Sequence, residues 1–451
     1  MLQLERRLAE ALGSDRLVRR MHLTAEAFLA KRGGDAAALR LEGGALLGVA
    51  RVVATSAQAA RLLATRPGLL ESIADCSVET ASKRLAQRTA RLLENELALP
   101  APDLEAFLDE LRLLRRSETL FAACLHLGGL VSFVAASSFL SALAESVVRR
   151  ALFQAQVRTP LAESLSVVGM GKIGGREFTY HSDLDLIFLQ RGGPEAIALA
   201  SRIGQRVVAY LSTMTGAGVA YEVDTRLRPS GGQGLLVTSF ESFAAYQERD
   251  AQVWEHLVLM RARAIAGDLL GARDVLSRTR GRVLSRAGPP WEEVAKMRAR
   301  VERERAEKDE RAGRIAFKTG PGGLMDVDFL AAGALLERGD EGPLPEIPSN
   351  PAMLRCAIAG PPLERLLDAY SELRRIEAVS RWVSGRAIEL FDPKSETFAL
   401  SAELADLPDG VDGLAARIEV SRATIRNAFQ GVLTRGSIAA LGAVPPAPPA
   451  Q

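Results

Sequence analysis

From the first residues to about residue 150, apolar positions recur at helical spacing among Ala, Leu, Arg and Glu, and almost nothing alternates as a strand would. This pattern predicts a helical bundle. The opening Met1-Leu-Gln-Leu-Glu-Arg-Arg7 lacks the apolar region of a secretory signal and reads as the start of a helix. Thr55 to Leu70 begins with a helix capped by Thr55 or Ser56 and stopped before Pro67. Thr119 to Ala144 holds 26 residues without Asp, Glu, Lys or Arg, enough to cross a bilayer on length alone. It also carries His126, Gly128-Gly129 and five hydroxyl residues, and arginine pairs flank both ends. Two buried helices broken at Gly128-Gly129 are expected, with no membrane span.

Between about 160 and 270 the pattern turns to short strands and glycine turns. Ser166 to Leu189 reads as an apolar strand, a glycine turn, a polar link and a second strand. Leu199 to Thr213 is an amphipathic helix, and Gly216 to Gly218 break the chain after it. Val219 to Pro229 reads as a strand, Ser230 onward as a flexible loop, and Ser239 as the cap of a helix. Trp254 to Asp268 reads as one further helix ending at a glycine.

Beyond Pro289-Pro290 the helical pattern returns. Lys296 to Arg314 is dense in both charges, as a solvated helix is. Phe317 to Leu330 is a glycine loop leading into a helix, which brings Lys318 and loop amides within reach of an anion or simply makes a turn. Gly339 to Pro351 interrupts the bundle, and a Pro/Ala tail from Gly442 is expected to be disordered. The expected division is a helical domain over 1–155, an α/β domain over 156–285, a helical bundle over 286–440 and the tail over 441–451.

Composition narrows the function. Of 451 residues, 47% are hydrophobic and 25% charged, ordinary for a globular protein. A net charge of +2 and an aromatic content of 5% speak against a nucleic-acid or membrane partner. Cys76, Cys124 and Cys356 lie far apart without metal spacing, which fits free thiols in a reducing cytoplasm. His256 has no clustered histidines to share a metal with.

The candidate chemistry lies in the second strand. Strand side chains alternate, so Asp183 and Asp185 project together while Leu184, Leu186 and Phe188 face the other way. Paired carboxylates in an apolar strand need a partner, and hard oxygen ligands suit Mg²⁺ or Mn²⁺. Upstream, Gly174-Gly175 allow close backbone approach to a phosphate and Lys172 adds a mobile positive charge. Asp224 supplies a third carboxylate, with Arg226 and Arg228 in phase on the same strand to hold phosphate oxygens. The plainer readings are a Gly-Gly turn, a solvated Asp-x-Asp strand end and an Asp–Arg surface ladder.

Gly169-Met-Gly-Lys-Ile-Gly-Gly-Arg-Glu177 with Ser182-Asp-Leu-Asp-Leu-Ile-Phe188 resembles the core of the glutamine synthetase adenylyltransferases. Tyr221-Glu-Val-Asp-Thr-Arg-Leu-Arg-Pro-Ser-Gly231, Trp254-Glu-His256, Arg261-Ala-Arg263 and Lys318-Thr-Gly-Pro-Gly-Gly-Leu-Met-Asp-Val-Asp-Phe329 continue it, and Leu62 to Leu70 is more weakly similar. The Asp-x-Asp pattern alone resembles the wider polymerase-beta-like nucleotidyltransferase superfamily. The resemblance implies a mostly α protein with a central polymerase-beta-like α/β nucleotidyltransferase domain between helical bundles. Bifunctional members attach AMP to a tyrosine of glutamine synthetase with one module and remove it by phosphorolysis with another. This chain holds one copy of the motif, and its wording after Val223 is most similar to the adenylylating module.

By that resemblance Asp183, Asp185 and Asp224 would bind two Mg²⁺ ions and Asp224 would help deprotonate the tyrosine. Gly174, Gly175, Lys172 and Ser182 would hold the triphosphate of ATP, helped by Arg226 and Arg228. Glutamine synthetase would be the partner and a PII-type nitrogen signal protein a further one. A deadenylylase or a noncatalytic regulatory module are the competing readings. Departures fall in the last bundle: Ala331-Ala332 replace an expected glutamine, and Arg374-Arg-Ile-Glu-Ala-Val-Ser-Arg381 keeps only half of a family helix.

Overall fold

The computed structural model describes residues 2–94, 101, 103–157, 159, 165–405, 407 and 409–442. Most of the Pro/Ala tail lies outside the described residues.

Helices run from Leu2–Leu12 through Phe133–Val157, as the patterning predicts. Ser56, rather than Thr55, caps the helix Ala57–Thr65 by accepting from the amide of Ala59. The long apolar stretch divides into Leu104–Leu127 and Phe133–Val157. A glycine is required at the break because a Cβ on Gly128 would strike the carbonyl of Gly44, and Gly129 turns the chain at φ +72°. Among the described residues no helix is long and apolar enough to cross a membrane.

The sheet has five short strands: β1 (Ser166–Gly169), β2 (Leu184–Gln190), β3 (Val223–Asp224), β4 (Val237–Ser239) and β5 (Arg263–Ala266). The order is β3-β2-β1-β5, with β4 pairing β2. β1 is antiparallel to β2 and β5, whereas β3 and β4 are parallel to β2. Val167, Leu184, Leu186 and Phe188 enter a core shared with the N-terminal helices. Val168, Ile187 and Leu189 enter a second core built with the later helices. Strand alternation therefore turns Asp183 and Asp185 toward the later helices.

Two sequence expectations are corrected. The helix expected over 254–268 ends early, at Val253–Leu259, and 263–266 is a strand. Ala and Arg favour a helix in isolation, but here the segment pairs with β1 and Arg263 donates to the carbonyls of Ile173 and Gly174. The strand expected over 219–229 is only two residues long. Arg228 donates to the carbonyls of Thr225, Gly232 and Gly234 and curls the chain, so Arg226 and Arg228 lose their strand phase with Asp224.

Candidate active site

Two of the carboxylates are neighbours where β3 joins β2. In the parallel register Leu184 pairs with Val223 and Asp185 with Asp224, so the two aspartates are lateral neighbours on adjacent strands. Asp183 lies just before β2 and is exposed, while Asp185 is largely covered. Burial, and then the charges of Asp183 and Asp224, push the Asp185 carboxyl up to about 6 against the pull of Lys318 and Lys172. The amide of Met170 donates to the Asp185 carbonyl at 2.9 Å. Gly171 follows at φ +49°, and a Cβ there would come within 2.6 Å of Asp185 Oδ2. Only glycine suits both that backbone and that approach.

Asp224 has a different environment. Arg226 donates from Nε to Oδ1 at 3.0 Å and to Oδ2 at 2.9 Å, and from Nη2 to Oδ2 at 2.5 Å. These hydrogen bonds, joined by the Arg226 amide, hold the Asp224 carboxyl below its ordinary value. Among the described residues no three carboxylate, imidazole or thiol groups converge closely enough to hold a metal ion. Two carboxylates at i and i+2 and a third one strand over, all hard oxygen donors, nevertheless make a donor set that fits a hard divalent cation.

The expected phosphate residues are placed differently from the sequence reading. Lys172 is tethered: its Nζ lies 2.6 Å from Oε1 of Glu377 on the helix Pro361–Ser384. Burial lowers Lys172 to about 7, and Glu377 opposes that shift. Burial alone would raise Glu377, but Lys172, Arg374 and Arg381 hold it well below the carboxylate range. Gly174 and Gly175 are glycines for packing: a Cβ on the first would strike the Arg261 carbonyl, and one on the second would sit 2.7 Å from Arg261 Nη2. Ser182 is buried and accepts from the Thr179 amide within a turn. Lys318 pairs with Glu389 at 2.6 Å, and the Gly322 amide donates to Asp326.

A buried polar network sits behind the site. Arg261 donates to Glu177 at 2.5 Å and to Asp328 at 2.7 Å. Asn350 donates to Asp328 at 2.7 Å, and the Tyr370 hydroxyl donates to Glu177 at 2.8 Å. Arg176 and Arg263 both pair with the buried Glu145. The Gly-Gly-Arg-Glu, Arg-Ala-Arg and Asp-Val-Asp runs thus supply scaffold ties. Sequence reasoning missed Gly171, Glu177, Arg261, Asp328 and Glu377 as individuals, although each lies inside a quoted string. A cavity of about 1040 Å³ opens beside Gly171 between the helices Val253–Leu259, Trp291–Val301 and Leu324–Arg338.

A mixed, open sheet embedded among helices, with Asp183 just before one strand, Asp185 on it and a third carboxylate on its parallel neighbour, defines a polymerase-beta-like nucleotidyltransferase fold. The sequence model of the glutamate-ammonia ligase adenylyltransferase family matches residues 46–274. Similar proteins include the bifunctional glutamine synthetase adenylyltransferase/adenylyl-removing enzymes of Thioalkalivibrio sulfidiphilus and Xanthomonas oryzae. The first is 33% identical over 80% of this chain and 39% of its own length, the second 35% identical over 69% and 34%. That of Hahella chejuensis is 33% identical over 74% of this chain and 38% of its own. The chain belongs to the glutamate-ammonia ligase adenylyltransferase family. It spans about two fifths of the length of these relatives.

Proposed function

We propose that this chain transfers AMP from ATP to a tyrosine of glutamine synthetase, regulating nitrogen assimilation, as one module of the adenylyltransferase/adenylyl-removing activity that its relatives' names describe. The observation that carries the reading is the strand register that sets the covered Asp185 beside Asp224, with Asp183 two residues before it, a crowding of carboxylates that an incoming cation would relieve. Asp183, Asp185 and, once released by Arg226, Asp224 would hold Mg²⁺ or Mn²⁺, which would supply charge neutralisation of the triphosphate and a more electrophilic α-phosphorus.

The tyrosine oxygen forms its bond to the α-phosphorus as the bond to the bridging oxygen breaks and pyrophosphate leaves. Asp224 accepts the hydroxyl proton. Arg226, displaced from Asp224, is free to meet departing phosphate oxygens. Lys172, Gly174, Gly175 and Ser182 act by shaping the segment that carries Gly171, and Arg228 by closing the loop after β3. The three-part division of the chain, cytoplasmic residence and docking of a PII-type signal protein belong to the same reading.

The test is α-labelled ATP with Mg²⁺ and unmodified glutamine synthetase. Label on glutamine synthetase that disappears with Asp183→Asn supports transfer. ADP released from adenylylated glutamine synthetase and phosphate, without labelling, replaces it with adenylyl removal. Silence in both directions leaves a regulatory module.

A further inference from the structure

The cavity beside Gly171 opens at the edge of the carboxylate cluster. Its walls are mainly apolar, with Val258, Met297, Met325 and Phe329 among them. Trp254 stands at the wall, 38% exposed, its indole nitrogen donating to Gln252 at 3.1 Å. At about 1040 Å³ the space matches small-molecule sites, which pair apolar walls with a few polar groups. The polar groups include Asp328, which uses Oδ1 for Arg261 and Asn350 yet keeps its side chain 45% exposed. Gly171 both lines the cavity and abuts Asp185 Oδ2.

We propose that this cavity seats the adenine ring of the nucleotide, with Trp254 packing on the base and the phosphates running past Gly171 to Asp185. The inference rests on the nucleotide reading above and adds to it where the base lies. A flat, weakly polar ring gains most from aromatic and apolar walls of this kind. The phosphate chain, by contrast, needs the carboxylate edge where a cation can meet it. Glycine at position 171 leaves open the passage that joins the two.

The test is tryptophan fluorescence of the full chain, titrated with adenosine in EDTA and with ADP in Mg²⁺. Trp291 and Trp382 are buried, so Trp254 is the tryptophan that a cavity ligand reaches. Saturable quenching by both ligands is expected, lost in Trp254→Phe and, for adenosine, kept in Asp183→Asn. Val258→Phe and Met297→Glu, checked for unchanged melting, are each expected to weaken labelled-ADP binding at least tenfold. No quenching by adenosine in the wild type overturns the proposal, as does unchanged ADP binding in both variants. Quenching by N-acetyl-tyrosinamide in place of adenosine also overturns it and gives the cavity to the acceptor ring. AMP transfer without adenosine binding sinks the base site alone; adenosine binding without transfer in either direction sinks the reaction alone.

Discussion

The ammonium of Lys172, next to Gly171 at the carboxylate edge, is bound 2.6 Å from Glu377, 205 positions later in the chain. Glu377 is fully buried and also serves Arg374 and Arg381. The last bundle is therefore part of the site's foundation, through Arg374, Glu377 and Arg381. Removing one member of a buried ion cluster leaves the others uncompensated, which costs more than the intact cluster contributes.

Glu377→Gln is expected to lower stability by about 3 kcal/mol, because three covered cations lose their shared anion. Urea unfolding measures it. A loss under about 1 kcal/mol would mean the cluster is solvated and the coupling weak.

Asp185 gives stability a pH dependence of unusual sign. Its folded value of about 6 stands above the ordinary 3.8, so the folded chain binds this proton more tightly than the unfolded chain. Its contribution is most favourable below pH 3.8 and is lost as pH rises through about 6. The difference amounts to about 2–3 kcal/mol at neutral pH. Asp185→Asn is thus expected to raise the neutral-pH melting temperature while abolishing AMP transfer. Mg²⁺ should raise the melting temperature of the wild type and not of the variant.

Arg226 and the cation compete for Asp224. Arg226→Ala removes an exposed cation from the carboxylate edge, and Mn²⁺ binding followed by electron paramagnetic resonance is expected to tighten roughly fivefold. Weaker binding would show that Arg226 orders Asp224 for the metal instead of occupying it.

Gly171 and Gly174 separate site from scaffold. Gly171→Ala strains a positive φ and crowds Asp185, so Mn²⁺ binding and transfer should fall together while stability drops by about 1–2 kcal/mol. In Gly174→Ala the new Cβ meets the Arg261 backbone, so the melting temperature should fall first. Equal thermal losses in the two variants would remove the distinction.

Local chemistry determined the parts that a few neighbouring residues decide. Ser239 caps the helix Phe240–Arg249, a glycine pair divides Leu104–Leu127 from Phe133–Val157, and Asp183 and Asp185 alternate against Leu184, Leu186 and Phe188. Capping and strand alternation act over two to four residues, and a sequence displays them directly. The register of Asp185 with Asp224, the strand at Arg263–Ala266 and the capture of Lys172 by Glu377 were decided only by tertiary structure. Each depends on a partner tens to hundreds of residues away. Burial against that partner, a free energy absent from any local window, outweighs helix propensity at 263–266 and turns an apparently mobile lysine into a fixed one.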